Sequence, residues 1–377
     1  MTPNIPFIDL LAQRKRLGNK IDKSVMDVIN SGQFIMGPAL FEMEEKLAKF
    51  AGTKYAISCG SGTDALMMPL MAWGIGPGDA VFVPSFTFIA TAEVVSLVGA
   101  TPVFCDVKAD TYNMDPESLK LGIEKAKSEG LTPKAIIPVD LFGLPADYDA
   151  LNAIAEEQNL IILEDTAQGF GGAYKGKRSG SFGKAAATSF FPAKPLGCYG
   201  DGGAIFTDCE ELTEKLKSIR VHGFGEERYH HVRIGLNGRM DTVQAAIILH
   251  KLDIFEDELA ARDKIATKYT DAFKDLMVTP HVPEDHFSCW AQYTVRLNSM
   301  ERQTFADALK EKGVPTAVYY PIPLHQQPGY EHYPVASTSL PVTEEICKNV
   351  ISLPMHPYLE AETQDYIIKS VLEVLGA

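Results

Sequence analysis

At 377 residues the chain is long for a single hydrophobic core and suits one large α/β domain with a smaller one. Hydrophobic residues make up 46% and charged residues 22%, which excludes a disordered composition. The formal net charge of −14, from 35 basic and 49 acidic residues, argues against nucleic acid or an anionic membrane surface as the main partner. It leaves room for a small anionic substrate held by a few focused cations and backbone N–H groups.

The opening MTPNIPFIDLLAQRKR has no apolar run of signal-peptide length, and no later stretch approaches the roughly 18 to 20 apolar residues of a membrane span, so a cytoplasmic location is expected. From about residue 55 to 207, short β-branched runs alternate with amphipathic stretches. Strands are expected at Tyr55–Ser58, Ala80–Pro84, Pro102–Asp106, Ala135–Val139 and Leu160–Glu164. Helices are expected between them at Thr63–Trp73, Thr87–Val98, Pro116–Lys127 and Tyr148–Gln158. Near-continuous apolar strands alternating with helices imply a mostly parallel sheet covered on both faces. Two further strands, Ala187–Phe191 and Ala204–Thr207, follow without a long helix between them, and that departure is where chemistry is expected. After a helix at Thr242–Leu252 the chain becomes richer in Pro, which places a domain boundary near residue 255: a large unit over 1–255 and a small one over 256–377. The six cysteines include no C-x-x-C pair and read as buried thiols in a reducing compartment.

Three segments can carry chemistry. In SCGSGTDAL a strand ends at Ser58 and a helix starts near Thr63, so exposed N–H groups and the helix dipole offer an anion site. Gly60, Gly62 and Ala65 also satisfy the dinucleotide pattern G-x-G-x-x-A, with Asp79 about 20 residues on as a possible ribose ligand, and a plain tight turn explains the segment too. In IILEDTAQGFGG, Asp165 stands just past an apolar strand, where it can pair with a protonated ring nitrogen or simply be a solvated carboxylate or helix cap. In TSFFPAKPLGCYGDGGAIFTD, Lys194 lies in a Pro- and Gly-rich stretch with only Asp201 charged nearby. A lysine held in a partly desolvated pocket can form a Schiff base. A carboxylate at a strand end and a lysine 29 residues later match the division of labour that pyridoxal phosphate (PLP) requires.

With PFIDL, SGQFIMGP, PSFTFIATAE, GLNGRMDTVQAAIL, YYPIPLH and SLPMHPYL, these segments resemble the DegT/DnrJ/EryC1/StrS sugar aminotransferases over essentially the whole chain. The resemblance implies the aspartate-aminotransferase-like (type I PLP) fold, an α/β fold with a mostly parallel central sheet and a smaller C-terminal α/β domain. It further implies PLP as cofactor, with pyridoxamine phosphate as the other form. The substrates it implies are L-glutamate and a nucleotide-linked keto sugar, most similar to the subgroup acting at C3 of UDP-2-acetamido-2-deoxy-3-oxo-D-glucuronate in bacterial surface glycan synthesis. By the same likeness Lys194 is the catalytic Schiff-base lysine, Asp165 partners the pyridine nitrogen, Phe88 stacks on the ring and Gln168 lies near its 3′-oxygen. Gly62, Thr63 and Ser189 hold the phosphate, joined by Asn237 from the second subunit of a homodimer with shared sites.

Tyr319 departs from the His many relatives carry at the start of their His-Tyr-Pro loop; Arg239, Tyr319, Tyr320 and His325 are the candidate substrate contacts. Arg239 reads equally as a structural salt bridge. The adjacent His230 and His231 lack further spaced ligands and suggest no metal. Lys175, Lys177 and Arg178 read as a charged hairpin turn, and Trp290 and Tyr293 as packing residues. Competing readings are an aminotransferase for a 4-keto or dTDP-linked 3-keto deoxysugar, an NAD-dependent sugar oxidoreductase using the Gly60–Ala65 turn, and a non-catalytic regulator. The sugar-dehydratase branch, which replaces the lysine with His, is disfavoured by Lys194.

Overall fold

The computed structural model describes residues 5–227, 229–298 and 300–376. Three helices come first: α1 (Leu10–Leu17), α2 (Asn19–Ser31) and α3 (Pro38–Ala51). The last begins on Pro38, where a missing N–H costs no helical bond, and ends at Gly52, whose φ of 77° lets the chain turn left-handed. Strand and helix then alternate through β1 (Tyr55–Cys59), α4 (Gly62–Ala72), β2 (Asp79–Pro84), α5 (Ala90–Leu97) and β3 (Thr101–Cys105). The alternation continues through α6 (Pro116–Ser128), β4 (Thr132–Ile136), α7 (Tyr148–Gln158) and β5 (Ile161–Asp165). A two-residue hairpin, β6 (Ala173–Tyr174) and β7 (Lys177–Arg178), carries the basic turn read from the sequence. The strands β8 (Ala185–Ser189) and β9 (Gly203–Thr207) follow, then α8 (Glu210–Ile219), α9 (Thr242–Leu252) and α10 (Phe255–Phe273). The chain closes with β10 (His286–Phe287), β11 (Tyr293–Arg296), α11 (Arg302–Glu311), α12 (Pro341–Asn349), β12 (Val350–Leu353) and α13 (Ala361–Leu375).

Seven strands form one sheet in the order β1-β9-β8-β5-β4-β2-β3. All pairings are parallel except those of β9, which runs against both β1 and β8. The expected strands exist with shifted ends: β5 runs one residue further, so Asp165 is its last residue rather than the residue beyond it. Likewise β8 ends at Ser189 instead of Phe191, and β4 begins at Thr132. α5 starts at Ala90, three residues later than expected, because Thr87 and Phe88 belong to the turn after β2.

Val81, Phe82, Val83, Val103 and Phe104 are fully buried between the sheet and its helices. Each such side chain contributes about 1.5–3 kcal/mol relative to exposure. A second core, with Trp290 and Tyr293, gathers on the β11–β12 pair under α11, α13 and the end of α10. Ile5 from the N-terminal segment joins this second core.

Candidate active site

The reversed strand explains the site. Because β9 returns antiparallel beside β8, the connection 190–202 never crosses the sheet and stays at the carboxyl end of β8. Next to that end lies the carboxyl end of β5, with Asp165 in register with Ala187. Lys194 and Asp165 thus open onto one cavity of about 450 Å³. The connection is held by Phe190 N–H donating to Gly202 O at 2.8 Å and Cys198 N–H to Phe190 O at 2.7 Å. Gly197 has to be glycine here, since a Cβ would meet Phe191 O and Pro192 O at 2.6 Å.

Asp165 is buried. Its Oδ2 accepts from Thr91 Oγ1 at 2.8 Å and its Oδ1 from Ala167 N at 3.2 Å. Burial raises its pKa, while these two bonds and Lys194 pull the other way. Lys194 makes no side-chain hydrogen bond among the described residues; burial lowers its pKa and Asp165 partly restores it. The Lys194 amine is therefore enclosed, unpartnered and easier to find neutral than a surface lysine.

At the next corner α4 begins at Gly62, capped by Ser61 Oγ, which accepts from Asp64 N at 3.0 Å. The helix thus starts one residue before the Thr63 expected from the sequence, with Ser61 as its cap. The N–H groups of Gly62 and Thr63 make no hydrogen bond among the described residues and line the cavity. Ser189 lies directly behind them, since a Cβ on Gly62 would approach Ser189 Cβ to 2.6 Å. Unsatisfied N–H groups, a helix N-terminus and a serine hydroxyl suit a phosphate. Phe88 lines the cavity with 53% of its surface exposed, an apolar plate without another task. Gln168 is clamped: Phe142 N–H donates to its Oε1 at 2.8 Å, and its Nε2 donates to Tyr320 Oη at 2.9 Å. One amide hydrogen of Gln168 remains for a ligand. An unpartnered amine, a carboxylate for a ring nitrogen and an open anion cradle fit PLP on chemical grounds.

Gly62, Thr63, Phe88, Asp165, Gln168, Ser189, Lys194, Tyr319 and Tyr320 all line this cavity. Three named candidates do not. His325 is tied into the wall behind, with Nδ1 2.7 Å from Ser85 Oγ and Nε2 3.3 Å from Glu344 Oε1. Its position after two prolines placed it in a loop, but this double anchor makes it a brace in the described chain. Asn237 is exposed, and Arg239 sits beside Gly60 with its Nε buried and unpartnered; neither enters the cavity of its own chain. Sequence reasoning gave no role to Thr91, Ile8, Asp201 or Gln292, which contact Asp165 or line the cavity. The hydroxyl of Thr91, one turn after Phe88 in PSFTFIATAE, was the available signal.

What the sheet and the cavity define is a class: an enzyme of the aspartate-aminotransferase-like type I fold, with PLP as its cofactor. Within it, the chain belongs to the DegT/DnrJ/EryC1/StrS aminotransferase family, whose pattern matches residues 15–372. It is 50% identical over 359 residues, 94% of this chain and 96% of the relative, to the UDP-2-acetamido-2-deoxy-3-oxo-D-glucuronate aminotransferase of Pseudomonas aeruginosa. Its structure matches that of a DegT/DnrJ/EryC1/StrS aminotransferase from Brucella abortus with a TM-score of 0.97 and 51% identity, covering 99% of this chain and 100% of the other. It also matches Spr1654 of Streptococcus pneumoniae, in its PMP form, at TM-score 0.90 and 28% identity, covering 99% and 98% of the two chains. The protein is a PLP-dependent sugar-nucleotide aminotransferase, and the oxidoreductase reading of the sequence gives way to that class. Among the described residues no helix is long and apolar enough to cross a membrane.

Proposed function

We propose that the chain transfers the amino group of L-glutamate to C3 of UDP-2-acetamido-2-deoxy-3-oxo-D-glucuronate, for bacterial surface glycan synthesis in the cytoplasm. The observation that carries the site reading is the unpartnered Lys194 amine facing Asp165 beside the open start of α4. The substrate reading is supported by the 50% identity to the Pseudomonas aeruginosa enzyme.

When bound, PLP supplies the electron-withdrawing ring and the carbonyl carbon through which an amino group passes between substrates. Lys194 Nζ, enclosed and unpartnered, would be the nucleophile that holds the cofactor and the base that moves a proton beside it. Asp165 keeps the ring nitrogen protonated, and a cation there returns its raised pKa toward the ionised range. Gly62, Thr63 and Ser189 would hold the phosphate, Phe88 would pack on the ring, and Gln168 would offer its free amide hydrogen to a ring substituent. Tyr319 and Tyr320 face the sugar, with Tyr319 offering a neutral hydroxyl where many relatives carry His.

A homodimer with shared sites is part of the same reading. Lys194 is the single Lys or Arg among the described lining residues, against the carboxylates Asp165 and Asp201. A cofactor phosphate, a diphosphate and a sugar carboxylate need more donors than that, and Asn237 and Arg239 of a second copy are the proposed source. Phe34, Ile35 and Ile234, exposed by 48%, 51% and 84%, supply apolar surface for such an interface. The division of the chain near residue 255 is likewise proposed; α10 spans it, with Phe255 in one core and Phe273 in the other.

The test is the visible spectrum of the PLP-loaded enzyme on adding UDP-2-acetamido-3-amino-2,3-dideoxyglucuronate or its 4-amino isomer. Loss of the lysine-bound cofactor band with the 3-amino compound alone is the expected result. Response to the isomer alone would retain the family and overturn the substrate, and absence of any such band after PLP addition would overturn the site.

A further inference from the structure

Behind the cavity lie two carboxyl groups that the transfer of an amino group does not use. Glu164 directly precedes Asp165 on β5 and points to the other face of the sheet, where it is fully buried; Asp140, also fully buried, lies in the segment after β4. The two carboxyls are braced by the same turn, Asp140 by Ser179 and Glu164 by Gly180 and Phe182, and each perturbs the other's titration. Every one of their four oxygens accepts at least one hydrogen bond. Asp140 Oδ1 accepts from Tyr148 Oη at 2.7 Å and Ala146 N at 3.1 Å, and its Oδ2 accepts from Ser179 Oγ at 2.7 Å. Glu164 Oε1 accepts from Gly180 N at 2.6 Å and its Oε2 from Phe182 N at 2.9 Å. Two buried carboxyls this near to one another, with no cation beside them, hold one proton between them at lower cost than two ionised groups, since like charges there repel.

The pair is wired to the cofactor-facing residues. The backbone N–H of Asp140 donates to Asp165 O at 3.0 Å, and Asp165 N–H donates to Pro138 O at 2.9 Å. Two residues past Asp140, the N–H of Phe142 holds Gln168 Oε1. Gly169, the neighbour of Gln168, packs on the Asp140 side chain so closely that a Cβ would come within 2.2 Å of the Asp140 Cβ.

We propose that Asp140 and Glu164 share one proton and act as positioning residues that fix Asp165 and Gln168 against the cofactor. The proposal rests on the reading of Asp165 and Gln168 as cofactor contacts. Burial raises the pKa of both carboxyls, and the ionised Asp140 beside it pushes Glu164 up further, well above the usual carboxylate range, which agrees with one proton retained by the pair. The titratable groups facing the pair are Tyr148 on α7, Asp165 on β5 and Cys289 in the segment before β11. No ion pair with Lys, Arg or His involves either carboxyl among the described residues.

Asn at 140 separates the two parts of the proposal. Its Nδ2 can donate to an ionised Glu164 and to Ser179 Oγ, while its Oδ1 accepts from Tyr148 and Ala146, so the bond survives without a shared proton. Infrared spectra of the PLP-loaded enzyme at neutral pH are expected to show the carbonyl band of a buried carboxylic acid, shifting in D₂O and missing in Asp140→Asn. Asp140→Asn is expected to keep PLP affinity and kcat within about twofold, since one hydrogen bond of similar strength replaces another. Asp140→Ala, or Ser179→Ala where the former does not fold, is expected to loosen PLP by about tenfold, the effect of roughly 1.4 kcal/mol of lost bonding. An acid band that persists unchanged in Asp140→Asn overturns the shared proton. Wild-type PLP affinity and kcat in the folded Ala variants overturn the positioning role. Asp165→Asn is the control: if it leaves PLP affinity and turnover unchanged, the cofactor reading fails, while the infrared result still reports on the dyad alone.

Discussion

Two enclosed bases are treated in opposite ways. Arg220, 3% exposed at the end of α8, is paired: its Nη1 lies 2.5 Å from Glu44 Oε1, 3.0 Å from Ser58 O and 3.1 Å from Ser58 Oγ, while its buried Nε finds no partner among the described residues. Lys194, lining the cavity, has the field of Asp165 and no hydrogen bond among the described residues. A third base, His356, is buried with both ring nitrogens unpartnered and stays neutral. Pairing with a carboxylate turns a buried charge into a fastener joining α3, β1 and α8. Leaving it unsatisfied disfavours the charged form and keeps the amine available for reaction.

The comparison breaks most visibly at Lys194. Lys194→Ala is expected to abolish both half-reactions, a loss on the order of a thousandfold or more in turnover, with the fold retained by circular dichroism. Arg220→Met leaves Glu44 buried beside Ser58 without its cation and is expected to lower unfolding free energy by about 3–5 kcal/mol in urea titrations. Arg220→Met/Glu44→Leu, with both charges gone, is expected to recover most of that loss, because the cost comes from the orphaned partner.

His356 sharpens the comparison through pH. Burial, with Arg262 next, holds its imidazole down to about 4, against 6.5 for the free side chain. Between those values the unfolded chain binds more protons than the folded one, so stability rises with pH through the window and is lost on acidification. About 3 kcal/mol is expected to disappear between pH 6.5 and 4, and His356→Leu is expected to flatten that limb of the stability profile. A matching slope in the variant would show that another group sets it.

The smallest effects lie around Lys194 and Asp165 themselves. Removing the Asp165 anchor with Thr91→Val is expected to reduce kcat by about tenfold, the worth of one hydrogen bond to a charged group, with less change in KM. In cofactor-free protein the lowered pKa of Lys194 means that folding disfavours its proton. Lys194→Met is therefore expected to be more stable than wild type at neutral pH. The advantage shrinks as pH rises from the folded value toward 10.5, and urea unfolding across that range measures it.

Much of this was legible in the residues, and the limits have physical causes. β2, β5 and β9 stood out because strands buried on both faces read as unbroken apolar runs, and their ends moved by one residue, against two for β8 and three for β4. Lys194 and Asp165 were visible because a short strand pair without a helix marks the place where the parallel rule is broken. α1 to α3 were not delimited, since the strand–helix alternation that guided the reading begins only at β1. Thr91 reaching Asp165 across 74 positions, and His325 bracing Ser85 across 240, are contacts that no periodicity encodes.

The reversed strand also has a consequence for biosynthesis. β1 pairs with β9 alone, although some 150 residues of chain separate Tyr55 from its partner Thr207. On the ribosome, Gly62 and Thr63 emerge early but wait for Ser189 and Gly203 before their corner is built. A nascent chain halted before residue 203 has the first strands, an unpaired β1 edge and no place for the cofactor. A cofactor held at that corner would thereby be captured late in the life of the nascent chain, once the sheet has closed.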